Sequence, residues 1–202
     1  GIDDVLALRG DPPKGSRSFI PEREGHSHTW ELVQQIVDMN KGKYLEDSLE
    51  DTNPTNFCIG VAGYPEKHFE APNRQIDLVN LKHKVETGAS YIVTQMFFDN
   101  SKFFRFRDEC KNIGIDVPVI AGIKPVSALN DINLLPQTFH IDMPYDLVMA
   151  LRKCKTDKDA REVGIEWAVM QSKELIKAGV PGIHYYTLGR SDNVARIVKE
   201  AF

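Results

Sequence analysis

Apolar residues fall into two kinds of pattern along this chain. Residues 5–8, 57–62, 91–98, 119–122 and 183–188 are short, nearly continuous apolar runs bounded by polar or turn-forming residues. They predict five strands, and their lack of alternation predicts strands covered on both faces. Residues 28–39, 75–87, 101–112 and 159–178 carry helical periodicity instead. In the last of these, Val163, Trp167 and Met170 recur at i, i+4 and i+7 and predict the core-facing stripe. Gly88, Gly114 and Gly179 stand behind three of the helices, where C-terminal caps are expected. Residues 41–56, acidic through Glu46, Asp47, Glu50 and Asp51, read as a solvated connection, and residues 127–151 as short helices inserted before the last long one.

Strict alternation of strand and helix predicts a parallel sheet built from βαβ units. A closed (β/α)8 barrel needs eight strands and about 250 residues. Two α/β architectures therefore remain: a small open sheet, or strands four to eight of a barrel. The polar residues favour neither, but they share an edge. Arg9-Gly10-Asp11 follows the first run, Tyr64 to His68 the second, Thr94-Gln95 falls in the third, Lys124 follows the fourth, and Arg190 the fifth. In open sheets and barrels alike, ligands bind at that C-terminal edge.

Composition narrows the function classes. The 202 residues carry a formal net charge of −4 and are 42% hydrophobic, which suits one packed core and disfavours a nucleic-acid partner. Cys58, Cys110 and Cys154 are widely spaced and odd in number, and read as buried free thiols of a reducing compartment. No apolar run approaches the roughly 20 residues of a membrane span. A cytoplasmic protein without a membrane partner is the expectation.

Several local patterns carry competing readings. "GDPPKGS" has the outline of a phosphate-binding loop, but Gly stands where the lysine should be and two prolines lack N–H groups. Arg9 and Asp11 could simply pair with one another. His26 and His28 have HxH spacing without further ligands, so no metal site is expected. Asp77, Asn80 and Lys84 form one polar stripe beside the apolar stripe of Leu78, Leu81 and Val85, and a solvated helix face is its ordinary explanation.

The segments "LALRGDPP", "VAGYPEKH", "DLVNLKHKVETGASYIVTQMFFD", "FFRFRDEC" and "GVPGIHYYTLGR", in this order and spacing, resemble methylenetetrahydrofolate reductases. The resemblance runs over nearly the whole chain. It implies a (β/α)8 TIM-barrel fold, here covering about strands 4–8, with FAD as cofactor and NADH or NADPH as electron donor. It also implies a folate substrate, 5,10-methylenetetrahydrofolate, reduced to 5-methyltetrahydrofolate by hydride passed through the flavin. By the same resemblance, Arg9, Gly10, Asp11, Ala62, Tyr64, His68, Ala71, Asp77, Asn80 and Lys84 are cofactor-binding positions. Asp11, Gln95 and Arg190 are the substrate-binding ones. Asp11 is the catalytic carboxylate, placed to stabilise the cationic iminium formed when the folate ring opens.

The departures from the family pattern set further expectations. The family's general acid is a glutamate closing the first barrel strand, and nothing ahead of Val5 supplies it. Barrel strands one to three and a regulatory domain are therefore expected to be absent. The isolated chain is then expected to be inactive, and to self-associate or be completed by the missing strands. The alternative is a non-catalytic half-barrel that retains some flavin contacts. Asn130-Asp131 stands near the fourth strand where a longer basic or amide side chain is common, His83 where an arginine is common, and Gly189 where an asparagine is common.

Overall fold

The chain is described by a computed structural model covering residues 1–12, 19–46, 48–189 and 191–202. Among these residues the strands are β1 (Asp4–Ala7), β2 (Cys58–Gly63), β3 (Tyr91–Thr94), β4 (Val119–Ile123) and β5 (Ile183–Tyr185). All neighbouring pairs are parallel, and the order in the sheet is the order in the chain. A doubly wound sheet reverses its strand order at a switch point. This sheet does not, so it is the singly wound arc of a half-barrel rather than a small open Rossmann-like sheet. Among the described residues the helices are α1 (Thr29–Asn40), α2 (Arg74–Thr87), α3 (Asn100–Asn112), α4 (Asp131–Phe139), α5 (Tyr145–Lys153), α6 (Asp157–Lys177) and α7 (Asp192–Ala201). None of them is long and apolar enough to cross a membrane.

Local chemistry sets the helix ends. The Asn73 side chain accepts from the Ile76 N–H at 2.9 Å to open α2, and the Asp99 carboxylate accepts from the Ser101 N–H at 2.9 Å to open α3. Thr156 and Asp159 form a reciprocal capping box at the start of α6. Gly88, with φ 139°, ends α2 in a conformation that favours glycine.

Two hydrophobic clusters support the sheet's loops. The larger joins Ile59, Val61, Ile92, Ala121 and Ile123 of the strands to Leu78, Phe103, Phe106 and Ile165 of the helices. The smaller gathers Met96, Phe98, Val126, Leu135, Ile141, Leu147, Leu151 and Ala160 beneath the α4–α5 insertion.

The structure corrects several expectations. The third strand ends at Thr94, and residues 95–98 leave the sheet, although Phe97 beyond it is fully buried. Their apolar character belongs to the two clusters and not to a ladder. Met170 is 52% exposed, while α6 buries Ala160, Gly164, Ile165, Ala168, Ser172 and Leu175. Val163 and Trp167 of the predicted stripe do pack against the smaller cluster, and only Met170 turns outward. Helix α7 is an additional element; its Val194 and Ile197 lie on one side behind Ser191 and Asp192. Of the three thiols expected to be buried, only Cys110 is, and Cys58 is exposed at the outer end of β2.

Gly164 gives the α6 contact a sharp test. A Cβ there would stand 2.1 Å from the Val126 carbonyl oxygen, a backbone atom that cannot swing aside. Replacing a mid-helix glycine by alanine ordinarily stabilises by up to about 1 kcal/mol. Here Gly164→Ala is expected to destabilise by about 1–3 kcal/mol through overpacking, read as a lower urea midpoint. A raised midpoint would refute the close approach.

Candidate functional site

At the C-terminal edge of the sheet, four elements enclose a cleft of about 400 Å³. The end of β1 supplies Leu8, Arg9 and Asp11. The β2–α2 loop supplies Tyr64, His68, Glu70, Ala71 and Pro72 beyond Ala62, helix α2 supplies Asp77, Asn80, His83 and Lys84, and the start of α1 adds His28, Thr29 and Trp30. Every predicted cofactor position except Gly10 lines this one cleft. Among the described residues a side chain at Gly10 would meet nothing within 4 Å.

The polar stripe of α2 is not the solvated face that its pattern suggested. Asp77 is buried, and one carboxylate oxygen accepts the His68 backbone N–H at 3.1 Å. Lys84 is half-buried and its Nζ donates to the Ala62 carbonyl at 2.7 Å. Only Asn80 is exposed, and it faces the cleft. Burial pushes the Lys84 ammonium down to about 8 against the opposing pull of Asp77.

The β2–α2 loop is fixed from several sides. Arg74 donates through Nη1 to the Tyr64 carbonyl at 2.6 Å, and through Nε and Nη2 to Glu109 at 2.8 and 2.6 Å. Its guanidinium also lies 5.1 Å from the centre of the Phe106 ring. Tyr64 and His68 meet edge to face at 4.6 Å, walling one side of the cleft. Burial pushes the Tyr64 hydroxyl up to about 12, with Asp11 and Asp77 adding to the shift and Arg9 opposing it. Burial likewise lowers the His68 imidazole, against Glu70 and Asp77, so the neutral ring is favoured.

Arg9 pairs with Glu70 across the cleft mouth and lies 4.8 Å over the Phe19 ring. Among the described residues it makes no ion pair with Asp11, so the simple Arg9–Asp11 pairing does not form. Gln95 is at the β3 end but outside the cleft lining, and its Oε1 accepts from the Met96 N–H at 2.9 Å. Arg190 lies outside the described residues. His26 bonds Gln35 at 2.6 Å and His28 opens α1, so the HxH pair serves two separate local contacts. Asp131, the departure near the fourth strand, turns inward and is buried.

Sequence reasoning did not find the α1 contribution. Trp30 meets His83 at 4.9 Å with rings tilted by 59°, and His28 lies 6.2 Å from Trp30 in a stacked arrangement. Nothing in a helical pattern marks a first-turn tryptophan as a cleft wall; only the packing of α1 against α2 does.

The sequence agrees with the family described as methylenetetrahydrofolate reductase over residues 1–201. The chain belongs to the methylenetetrahydrofolate reductase family. It is 36% identical over 193 residues to the 5,10-methylenetetrahydrofolate reductase of Escherichia coli K12, covering 95% of this chain and 58% of that protein. It is also 36% identical over 198 residues to methylenetetrahydrofolate reductase (NADH) 1 of Arabidopsis thaliana, covering 93% of this chain and 31% of that protein. The chain thus spans little more than half of the bacterial reductase and about a third of the plant one. A solved Clostridium thermocellum protein titled as binding two copies of 5-methyl-5,6,7,8-tetrahydrofolic acid aligns with a TM-score of 0.48 and 17% identity. That alignment covers 72% of this chain and 53% of that one, and it adds nothing to the family assignment.

The depressed Lys84 makes a stability prediction. Between about 8 in the fold and its ordinary value of 10.5, the unfolded chain binds a proton that the folded chain does not. Stability contributed at this site therefore rises with pH across that window. Urea midpoints of the wild type should gain on those of Lys84→Met as pH climbs from about 8 towards about 10. Parallel curves would contradict a buried ammonium.

Proposed function

We propose that this chain carries the flavin-binding part of an NAD(P)H-dependent 5,10-methylenetetrahydrofolate reductase. The observation that carries the reading is the convergence of Arg9, Asp11, Ala62, Tyr64, His68, Ala71, Asp77, Asn80 and Lys84 on one cleft. The donor set suits FAD. Lys84 is a half-buried cation with a single backbone acceptor among the described residues, which leaves N–H groups for a diphosphate. Asp77 offers a carboxylate to ribose hydroxyls, with Asn80 beside it at the open face. Tyr64 and His68, packed edge to face and favoured in their neutral forms, give an aromatic wall that matches a largely uncharged ring system. When bound, the flavin would supply hydride transfer between nicotinamide and folate.

The chain's own groups would do the rest. Asp11 stands exposed at the cleft, where a carboxylate stabilises positive charge developing on the folate. Gln95 accepts the Met96 N–H at Oε1 and keeps its Nε2 donors for the substrate's amide edge, and Arg190 is a candidate for its anionic tail. The reaction also needs an acid for the departing folate nitrogen. Glu66 is committed to Lys102 and the Asp142 N–H, and Glu70 to Arg9, so we assign that role to neither. Strands β1 and β5 are the outer strands of the arc, which supports pairing with further strands, from other chain segments or from a second copy.

The reading predicts discrimination by the diphosphate. The wild-type chain should bind FAD at least about tenfold more tightly than riboflavin, one charge-assisted contact's worth, as measured by quenching of flavin fluorescence. Lys84→Met should lower FAD affinity by more than it lowers riboflavin affinity and so remove most of that preference. Equal wild-type affinity for the two flavins would count against the proposal.

A further inference from the structure

A second cavity at the same edge lies between the ends of β4 and β5. Its volume is about 240 Å³, and its lining includes Lys124, Pro125, Ser127, Tyr186, Leu188 and Asn193. Lys124 immediately follows β4, and its side chain is only 5% exposed. A lysine ammonium has three N–H donors. Among the described residues, Lys124 Nζ makes one long hydrogen bond, 3.4 Å to the carbonyl of its own neighbour Pro125.

Its counter-ion does not complete it. Asp131 Oδ2 stands 3.6 Å away, beyond hydrogen-bond reach. That oxygen already accepts from the Ser127 N–H at 2.8 Å, the Ser127 hydroxyl at 3.2 Å and the Ala128 N–H at 3.2 Å. Asp131 is thus oriented by the loop that it caps and holds Lys124 at a distance. A buried charge is stable when it is both paired and hydrogen-bonded, and Lys124 is paired with most of its donors unused.

We propose that this cavity is a carboxylate subsite with Lys124 as its receptor. A carboxylate can use two of the idle donors at once and brings the charge to match. Tyr186, Leu188 and Pro125 supply apolar walls for the carbon stem behind it. The chain already contains one lysine between two carboxylates: Lys102 Nζ lies 3.2 Å from Glu66 and 2.5 Å from Asp142. Within the proposed reductase function, on which this step rests, the ligand group is a carboxylate of the folate's glutamate.

The test compares two probes on the FAD-supplemented chain by titration calorimetry. One is 5-methyltetrahydrofolate; the other is 5-methyltetrahydropteroate, which lacks the glutamate. The wild type should prefer the first, and Lys124→Met should lower that affinity about tenfold while leaving the second unchanged. Asp131→Asn keeps an oxygen for the loop N–H groups but removes the competing charge, so it should tighten the glutamate-bearing probe. A purely structural ion pair predicts the reverse sign for Asp131→Asn, and that result overturns the subsite even if Lys124→Met fails to fold. Wild-type binding of both probes with equal affinity overturns the subsite and leaves the reductase reading standing. Binding of neither probe overturns both.

Discussion

Two cations of α2 reach back to the strand that precedes them, and the cleft depends on that grip. Lys84 donates to the carbonyl of Ala62 in β2, and Arg74 to the carbonyl of Tyr64 just beyond it. A carbonyl at the end of a parallel strand has run out of ladder partners and must find a donor elsewhere. Supplying it from α2 locks helix to strand at both ends of the loop between them. That loop then has one path, with Tyr64 and His68 facing inward and Asp77 receiving the His68 N–H. The cost falls on Lys84, whose ammonium is desolvated to make the contact. A group held this way is poised for an anion, because a nearby phosphate would restore what burial removed.

The loop is held from above as well. Lys102 at the start of α3 bridges Glu66 of the loop and Asp142 of the α4–α5 connection, and the Asp142 N–H donates to Glu66 at 2.8 Å. Phe69 stacks on His140 at 4.9 Å beside this cluster. The insertion after β4, which has its own small core, therefore braces the cleft wall formed after β2. Among the described residues Glu66 Oε1 has no hydrogen-bond partner, and burial raises the Glu66 carboxyl above its usual range despite Lys102. Loops after three successive strands thus share one polar junction, as expected where ligands are bound by βα loops.

The parts of this arrangement legible in sequence were those with local causes. Five short apolar runs became five parallel strands, and Gly88, Gly114 and Gly179 stand just behind α2, α3 and α6 as their positions suggested. The polar cluster at each strand end was legible too, because chain direction alone puts those residues on one edge. Side-chain direction was not. Asp77 and Lys84 share a stripe that a solvated helix would also show, and only packing against β2 turns it inward. Trp30 and Glu70 join the cleft through contacts across 53 and 61 positions of sequence, to His83 and Arg9, with no local signature. Met170 misled for the opposite reason: Val163 and Trp167 of its stripe pack inward, but the deepest face of α6 is the neighbouring one of Ile165, Ala168, Ser172 and Leu175, which leaves Met170 outside.

The central claim is that these residues form an organised flavin cleft within this chain. Its most direct test is the visible absorption spectrum of the purified protein after incubation with FAD and desalting. The account predicts that a flavin band stays with the protein, perturbed from that of the free cofactor. A colourless protein that is folded by circular dichroism would contradict it.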